Sequence, residues 1–197
     1  MWSAAPVSPP VPWASSAGER TALYSPGSGP VWTATTAPPG ETYPVPPDSP
    51  LLRAIQSRRS IRHFKDELPD KALIQRALDG AAYAPSGKNE HRNRWTVVYG
   101  RARVEELYQL VLEWAGPVEH YKHLVWLARK GIDPVTCGAP CLIIGHNHPE
   151  ALNPQDDTVI ATLLAEQLLV ESGLGTCWSG YFRTAAQNSA DIQRRLA

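Results

Sequence analysis

The stretch DDTVIATLLAEQLLVESGLGTCWSGYF, residues 156–182, contains the pattern of a long helix and its end. Asp156 or Asp157 can cap the first turn, because a carboxylate there accepts hydrogen bonds from free backbone amides. Gly173 can adopt the left-handed conformation that ends a helix, so the helix is predicted to stop at Glu171. Four apolar residues recur at helical spacing and are expected to face the core: Ile160, Leu163, Leu164 and Leu168.

Similar patterns on both sides of this helix predict shorter helices and a few short strands. Helices are predicted from residue 50 and over residues 69–83, 104–114, 117–128 and 190–196. Strands are predicted over residues 95–99 and 141–145, with a third strand or turn over 176–180. The first helix would be capped by Asp48 or Ser49 and would bury Leu51, Leu52 and Ile55. Helices outnumber strands, which predicts an α+β class with a small sheet flanked by helices.

The composition of the chain excludes some classes of binding partner. The chain has 197 residues and 43% hydrophobic content, enough for one substantial core. Its 19 basic and 19 acidic residues balance, so partners bound through global charge, nucleic acid and anionic membranes, are not expected. No apolar run approaches the ~18 residues that span a bilayer, and the first residues lack the basic start of a signal peptide. A cytoplasmic location is expected.

The three cysteines, Cys137, Cys141 and Cys177, form an odd and sparse set. This count argues against a disulfide framework and suits a reducing compartment. Cys137 and Cys141 enclose three residues instead of two, and no second pair of cysteines or histidines has ligand spacing. We therefore predict no metal site.

Residues 1–47 differ in composition from the remainder. Residues 1–50 hold 12 of the 19 prolines and four charged residues. Proline removes a backbone donor and fixes φ, so regular helices or central strands are not expected here. We predict a proline-rich, disordered or loosely docked arm over 1–47, followed by one domain over 48–197. A misplaced start or a shifted reading frame would give the same composition, and the sequence leaves both readings open.

A cluster of positive charge lies in IQSRRSIRHF, residues 55–64. Two or three arginines beside a hydroxyl suit a phosphate monoester, because each guanidinium offers fixed, permanently charged donors. A basic run at the C-terminal end of a helix is also favoured by the helix dipole alone. Both interpretations stay open on this segment by itself.

Two further segments have the composition of ligand loops. AAYAPSGKNEHRNRW, residues 81–95, places Ser86, Gly87 and Asn89 in a polar turn before a strand. ESGLGTCWSGYF, residues 171–182, places Gly180 in the predicted strand, where glycine often marks the close approach of a ligand. An ordinary helix–strand connection and an ordinary helix stop explain the same residues.

The order and spacing of RRSIRHF, APSGKN and GLGTCWSGYF closely resemble the FMN-dependent nitroreductase family. The resemblance covers roughly residues 51–183 and includes Ala139-Pro140 before CLIIGHN. GKN followed by Trp95, together with GTCW, looks most like the branch in which a ferredoxin module precedes the nitroreductase domain. That module's iron–sulfur cysteine run is absent from this sequence.

The resemblance implies an FMN-binding site, usually built across an intertwined homodimer. The segment that contacts the FMN phosphate, ribityl chain and pyrimidine edge corresponds to Arg58, Arg59, Ser60 and Arg62. The loop that packs on the isoalloxazine, commonly from the partner subunit, corresponds to Pro85, Ser86, Gly87 and Asn89. Ser179 and Gly180 correspond to the turn whose backbone N–H lies near flavin N5.

The resemblance also implies the reaction. NAD(P)H would supply hydride through N5 to a nitroaromatic, a quinone or a similar acceptor, and the flavin would carry the redox chemistry. We therefore assign no protein catalytic residue. His91 and Tyr181 could line the acceptor side, although a structural role explains each as well.

Two departures from the family pattern leave an alternative open. His91-Arg92-Asn93-Arg94 stands where the family often has Gln-Pro-Trp, and the sequence ends at Ala197 where family members usually continue through another strand. The alternative is a truncated, non-catalytic nitroreductase-like domain with weak or no flavin binding.

Overall fold

The computed structural model describes residues 22–24, 30–32 and 49–196. It divides into two compact units with a boundary between Ser49 and Pro50. The smaller unit contains an antiparallel pair of short strands, β1 (Ala22–Tyr24) and β2 (Pro30–Trp32), in which Leu23 pairs with Val31. Proline fits the first position of such a strand because it has no N–H to donate. This pair falls inside the predicted arm, and the other residues of 1–47 lie outside the described residues.

The larger unit contains seven helices and two strands over its described residues. They are α1 (Pro50–Ser57), α2 (Lys71–Ala81), β3 (Asn93–Tyr99), α3 (Arg101–Ala115), α4 (Lys122–Arg129), β4 (Cys141–Asn147), α5 (Pro154–Glu171), α6 (Gly180–Asn188) and α7 (Ala190–Leu196). No helix in residues 50–196 is long and apolar enough to cross a membrane.

β3 and β4 form an antiparallel pair with one helical layer on each face. Trp95, Tyr99 and Ile143 pack against α2 and α5. Val98, Leu142 and Ile144 pack against the core of α3, α4, α6 and α7. Alternate strand residues point to opposite faces, so one short ribbon separates two cores. The predicted α+β class with a small sheet between helices is confirmed.

α5 begins and faces differently from the prediction. Its first residue is Pro154, and the side chain of Asp157 caps no amide of its own helix. Ile160 and Leu163, expected inside, are 38% and 47% exposed. The side chains of α5 that face the sheet here are small ones. A Cβ placed on Gly145 of β4 would lie 3.0 Å from atoms of both Thr158 and Thr162. The close approach at Gly145 leaves room for threonines there, and the predicted Leu168 is half-buried and packs against the core further along the helix.

α1 begins at Pro50 as predicted, but its buried face is different. Leu51 and Ile55 are 61% and 49% exposed, Leu52 is half-buried, and Ala54 is buried. The eight-residue helix packs against α5. Ala54 is the only fully buried residue of α1. For so short a helix, the sequence pattern predicts which side is apolar. It does not predict which residues of that side pack against another helix.

The other elements lie close to their predicted positions, with two exceptions. Asp70 caps α2 by accepting from the Ala72 amide at 2.8 Å, and Gly173 ends α5 with φ of +83°. α4 starts at Lys122, after a 3₁₀ turn, and not at Pro117. Residues 176–180 form no extended strand, because α6, which was not predicted, starts at Gly180.

Candidate functional site

Arg58, Arg59 and Arg62, which we call the arginine cluster, follow directly after α1. Arg59 Nη1 donates to the carbonyl oxygens of Gln56 at 2.8 Å and of Arg58 at 2.9 Å. These contacts satisfy carbonyls at the helix C-terminus, so Arg59 has the structural role that the helix-end interpretation describes. Arg62 is exposed, and its Nη1 reaches the Ser60 carbonyl oxygen only at 3.4 Å. Arg62 therefore keeps most of its hydrogen-bonding capacity.

The cluster is joined to the turn that follows α5. Ser60 forms a parallel β-bridge with Thr176, and the Ile61 amide donates to the Thr176 carbonyl oxygen at 2.9 Å. A Cβ placed on Gly175 would lie 3.0 Å from the Ile61 side chain, which explains glycine at this position. Two of the three segments that the sequence singled out are therefore neighbours in one chain.

Glu166 of α5 contacts both of these segments through its carboxylate. Its side chain is buried, and its carboxylate accepts from Thr176 Oγ1 at 3.0 Å and from Trp178 Nε1 at 2.9 Å. The same carboxylate lies 3.8 Å from Arg58 Nη1. A buried carboxylate is stable only when it is paired and hydrogen-bonded, and Glu166 meets both conditions.

The turn then leads into α6 through Ser179 and Gly180. Ser179 Oγ donates to the Val135 carbonyl oxygen at 2.6 Å, so this side chain anchors the start of the helix. Gly180 is the first residue of α6. The sequence had placed it in a strand, and that prediction is wrong. No described atom lies within 4 Å of a Cβ placed there, so the space above this backbone is open.

The loop over residues 85–91 is held in an unusual backbone conformation. Lys88, Asn89 and His91 have φ values of +51°, +58° and +48°, which are costly for residues with a side chain. Ser86 Oγ accepts from the His91 amide at 2.9 Å, and Asn89 Oδ1 lies 2.7 Å from His91 Nε2. These contacts over-determine the loop. Pro85 at its start is exposed.

Asp157 fixes this loop to the first turns of α5. The Gly87 amide donates to Asp157 Oδ1 at 2.9 Å. A Cβ on Gly87 would lie 3.1 Å from Asn153 Nδ2 and 3.2 Å from Leu152 Cβ. The close approach of the protein's own side chains therefore favours glycine at this position. Asn93 supports the same corner through a hydrogen bond from its Nδ2 to the Asp157 carbonyl oxygen.

The two anchors of α5 separate the loop from the arginine cluster. Asp157 and Glu166 are nine residues apart, which corresponds to roughly 13 Å of rise and about 180° of rotation. Among the described residues, no hydrogen bond joins residues 85–91 to the arginine cluster or to residues 176–180. One chain therefore brings together Arg58, Ser60, Ser179 and Gly180 but not Ser86, Gly87 and Asn89.

Sequence reasoning missed Glu166, Asp157 as a loop anchor, and Arg183. Glu166 had a signal as a charged residue inside an apolar helical pattern, and Asp157 as an acid in the first turn of the same helix, whereas Arg183 lies in α6, which was not predicted. Arg183 of α6 is buried, its Nε and Nη1 have no partner among the described residues, and burial lowers its pKa. It lies one turn after Ser179, whose carbonyl oxygen accepts from the Arg183 amide at 3.1 Å.

Of the three cysteines, Cys137 lies close enough to Arg62 to feel its charge, and Cys141 lies in β4. Burial raises the pKa of the Cys141 thiol to about 11. Burial, Asp133 and Cys177 raise the pKa of the Cys137 thiol, and Arg62 opposes this effect. Both thiols stay protonated near neutral pH and are weak ligands and nucleophiles. No group of three potential ligands that could hold a metal occurs within the described ranges.

The small sheet between two helical layers, with a cationic segment bridged to a glycine-containing turn, defines an α+β protein of the nitroreductase-like fold. A model of the nitroreductase family matches residues 55–196. The chain therefore belongs to the nitroreductase family, as its motifs had indicated. No match was found among curated proteins.

Solved structures agree with this assignment. A nitroreductase with bound FMN from Desulfitobacterium hafniense DCB-2 is 25% identical, with a TM-score of 0.65, and the match covers 76% of this chain and 81% of that one. A nitroreductase with bound FMN from Bacteroides fragilis NCTC 9343 is 25% identical, with a TM-score of 0.61 and coverage of 74% and 77%. Iodotyrosine deiodinase bound to FMN and 3-iodo-L-tyrosine shares the fold at 20% identity, with a TM-score of 0.51 and coverage of 71% and 82%.

Replacing Glu166 by glutamine tests the structural role of this carboxylate. Glutamine has one acceptor oxygen and no charge, so Trp178 keeps its bond only if the Thr176 hydroxyl accepts from the new amide group, and Arg58 loses its counter-ion. We expect Glu166→Gln to lower the free energy of unfolding by about 1–3 kcal/mol in denaturant titrations. Glu171→Gln, an exposed change on the same helix, should stay within about 0.5 kcal/mol of wild type. Equal effects of the two changes would contradict the role.

Proposed function

We propose that the protein is an FMN-dependent oxidoreductase of the nitroreductase type that works as a homodimer. The observation that carries this proposal is the bridge between the arginine cluster and the turn at Gly180. It puts permanently charged donors beside an open backbone turn, which is what an anionic, flat cofactor requires. The FMN bound in two family members that are 25% identical supports the same assignment.

The residues present fit FMN. Arg62 is exposed with capacity to spare, and Arg58 is oriented by Glu166 while about a third of its side chain stays accessible. These two arginines and Ser60 would hold the phosphate and the polar edge of the cofactor. Arg59 would contribute its charge, because its donors are used at the end of α1.

The start of α6 would face the redox centre of the cofactor. Amides in the first turn of a helix lack intrahelical partners, and the open space at Gly180 leaves its amide approachable. Ser179 keeps this turn in place through Val135, so its role is to position the backbone. Bound FMN would accept hydride from NAD(P)H at N5 and deliver it to an acceptor such as a nitroaromatic or a quinone.

Tyr181 would form part of the acceptor wall. It follows Gly180 directly, is 37% exposed, and its hydroxyl lies 3.3 Å from His123 Nε2. Its ring packs edge-on against Tyr121 at 6.4 Å between centroids. An aromatic wall favours flat acceptors through offset and edge contacts. His91 is exposed in the loop over 85–91 and would line the site only from a partner subunit.

Two features support a homodimer. The loop over residues 85–91 and the arginine cluster are anchored to opposite sides of α5, which favours a site whose two halves come from different chains. The apolar residues that the described unit leaves exposed on α1 and α5 provide a surface for this contact: Leu51, Ile55, Ile160 and Leu163. A helix that is apolar all round is normally covered on both sides. A cytoplasmic location stays a prediction.

Cofactor affinity tests the arginine cluster. We expect Arg58→Ala/Arg62→Ala to weaken FMN binding by ~1.5–3 kcal/mol for each charged hydrogen bond lost, measured by quenching of flavin fluorescence. Arg62→Ala alone leaves Glu166 paired and should show about half of the effect. Arg53→Ala, an exposed arginine of α1 outside the cluster, is the matched control and should bind FMN as wild type does. Unchanged affinity in the double variant would reduce the cluster to a solvated helix end.

Turnover tests the activity itself. The purified chain, incubated with FMN and gel-filtered, should keep a yellow band near ~450 nm that disappears with NADH or NADPH under nitrogen. The band should return when menadione or a nitroaromatic is added. A protein that stays colourless after FMN, or a bound band that neither nicotinamide reduces, would support the non-catalytic alternative.

Subunit assembly tests the exposed face of α5. A glutamate at a dimer contact would be buried without a partner, so Leu163→Glu should give a monomer by analytical ultracentrifugation, and FMN binding should be lost with the dimer. Leu68→Glu, at an exposed leucine between α1 and α2, should leave the dimer intact. A monomeric wild-type protein that still binds FMN would contradict the two-chain site.

A further inference from the structure

Tyr181 and His123 form a hydrogen-bonded pair beside the open turn at Gly180. Tyr181 follows Gly180 in the first turn of α6, and its hydroxyl oxygen lies 3.3 Å from Nε2 of His123 in α4. The two rings meet edge-on, with 5.6 Å between their centroids. Both side chains are exposed, so water and a molecule bound at the turn can each reach the pair.

The other ring nitrogen of His123 is committed to the backbone. Nδ1 lies 3.0 Å from the carbonyl oxygen of His120, and a carbonyl oxygen can only accept, so Nδ1 carries a proton and donates it. Nε2 is therefore the nitrogen at which this ring gains or loses a proton. When Nε2 is protonated, it donates to the Tyr181 oxygen and leaves the phenolic proton free for another acceptor. When Nε2 is unprotonated, it accepts from the Tyr181 hydroxyl.

Aromatic contacts keep the pair in position. The ring of Tyr121 packs edge-on against Tyr181 at 6.4 Å between centroids, and it also packs against Trp114 at 4.9 Å. The other titratable groups nearest to the pair along α6, α4 and the turn before α4 are His120, Tyr121, the buried Arg183, and Lys122 in an ion pair with Glu119. Among these described residues, the one carboxylate already has a cationic partner, so Tyr181 is the partner that Nε2 of His123 has in the structure.

From this geometry we propose that Tyr181 donates the proton that completes the reduction of a quinone acceptor, and that His123 supplies this proton through the tyrosine. The proposal rests on the proposed function, because the acceptor has to lie at the Gly180 turn. Tyr181 touches the acceptor and is a catalytic residue. His123 acts through Tyr181 and is a positioning residue that also stores the proton.

The proposed step balances in protons and charge. Transfer of hydride to a quinone leaves one of its two oxygens as an anion. Tyr181 breaks its O–H bond and gives the proton to this oxygen, while protonated Nε2 of His123 gives its own proton to the Tyr181 oxygen. The products are a neutral hydroquinone, an intact tyrosine and a neutral imidazole. His123 is exposed and regains its proton from water, so no further reactant is needed.

Separate measurement of the two half-reactions tests Tyr181. In the FMN-loaded protein, Tyr181→Phe should slow reoxidation of the reduced flavin by menadione ~100-fold. Reduction of the flavin by NADH or NADPH should keep its rate, because that step takes no proton from the tyrosine. Equal reoxidation rates in wild type and variant would overturn the inference alone. A chain whose FMN neither nicotinamide reduces would overturn the proposed function and this inference with it.

Pentafluorophenolate and hexafluorobenzene provide a test that needs no turnover. The first is an anion at neutral pH and imitates the reduced acceptor, whereas the second has the same ring without the oxygen. In fluorine NMR titrations of the oxidised, FMN-loaded protein, Tyr181→Phe should weaken pentafluorophenolate ~10-fold, because a hydrogen bond to a charged oxygen is lost. Hexafluorobenzene should bind as before. Equal losses for both probes would mean that Tyr181 contributes only apolar surface, and would contradict the proposal.

The pH dependence of reoxidation tests His123. In the wild type the rate should rise as the pH falls, because protonated Nε2 frees the phenolic proton. His123→Gln supplies an amide that donates at every pH, so reoxidation should stay fast and lose its pH dependence, whereas His123→Leu should be slow throughout. His148→Leu, at an exposed histidine after β4, is the matched control and should keep the wild-type profile. A wild-type profile in His123→Leu would exclude the relay.

Discussion

The structure depends on the contacts of one buried carboxylate, that of Glu166. It receives two neutral hydrogen bonds from the turn after α5 and faces a guanidinium from the segment after α1. The segment after α1 is thereby fixed to α5 and to the turn that follows it, about one and a half turns before the end of this helix. Without this point, the β-bridge between Ser60 and Thr176 would rest on backbone bonds at the surface. The buried carboxylate of Glu166 thus determines where the partly exposed guanidinium of Arg58 lies.

The arginine cluster illustrates why both interpretations of a basic segment can hold together. Arg59 completes the end of α1, Arg58 pairs with an internal acid, and Arg62 remains accessible. Three similar side chains within five residues thus have three surroundings, and only the accessible one resembles a free ligand-binding group. The fold alone does not determine the acceptor, since a deiodinase shares it at 20% identity.

The sequence predicted the order and type of most elements, because periodicity, Asp70, Pro50 and Gly173 act locally. It also predicted that the arginines and the turn at 176–180 belong together, through motifs and not through geometry. It was wrong about the inward face of α1 and about Ile160 and Leu163 of α5, whereas Leu168 packs against the core as predicted. Those positions depend on how closely a neighbour approaches, and the threonines Thr158 and Thr162 are the α5 residues that lie against Gly145. α6 was missed because its amphipathic pattern is short and begins directly at a turn. Whether two chains complete the site is a property of the pair, which a single chain's pattern does not contain.

The spacing between Asp157 and Glu166 has a consequence for the evolution of this chain. Each acid holds a different loop on a different side of α5, so both loops depend on the spacing of these two residues along the helix. Inserting or deleting one residue between them would rotate one carboxylate by about 100° relative to the other, and one loop would lose its anchor. Relatives that keep both loops should therefore vary freely in the connections around α5 while keeping this interval at a constant length.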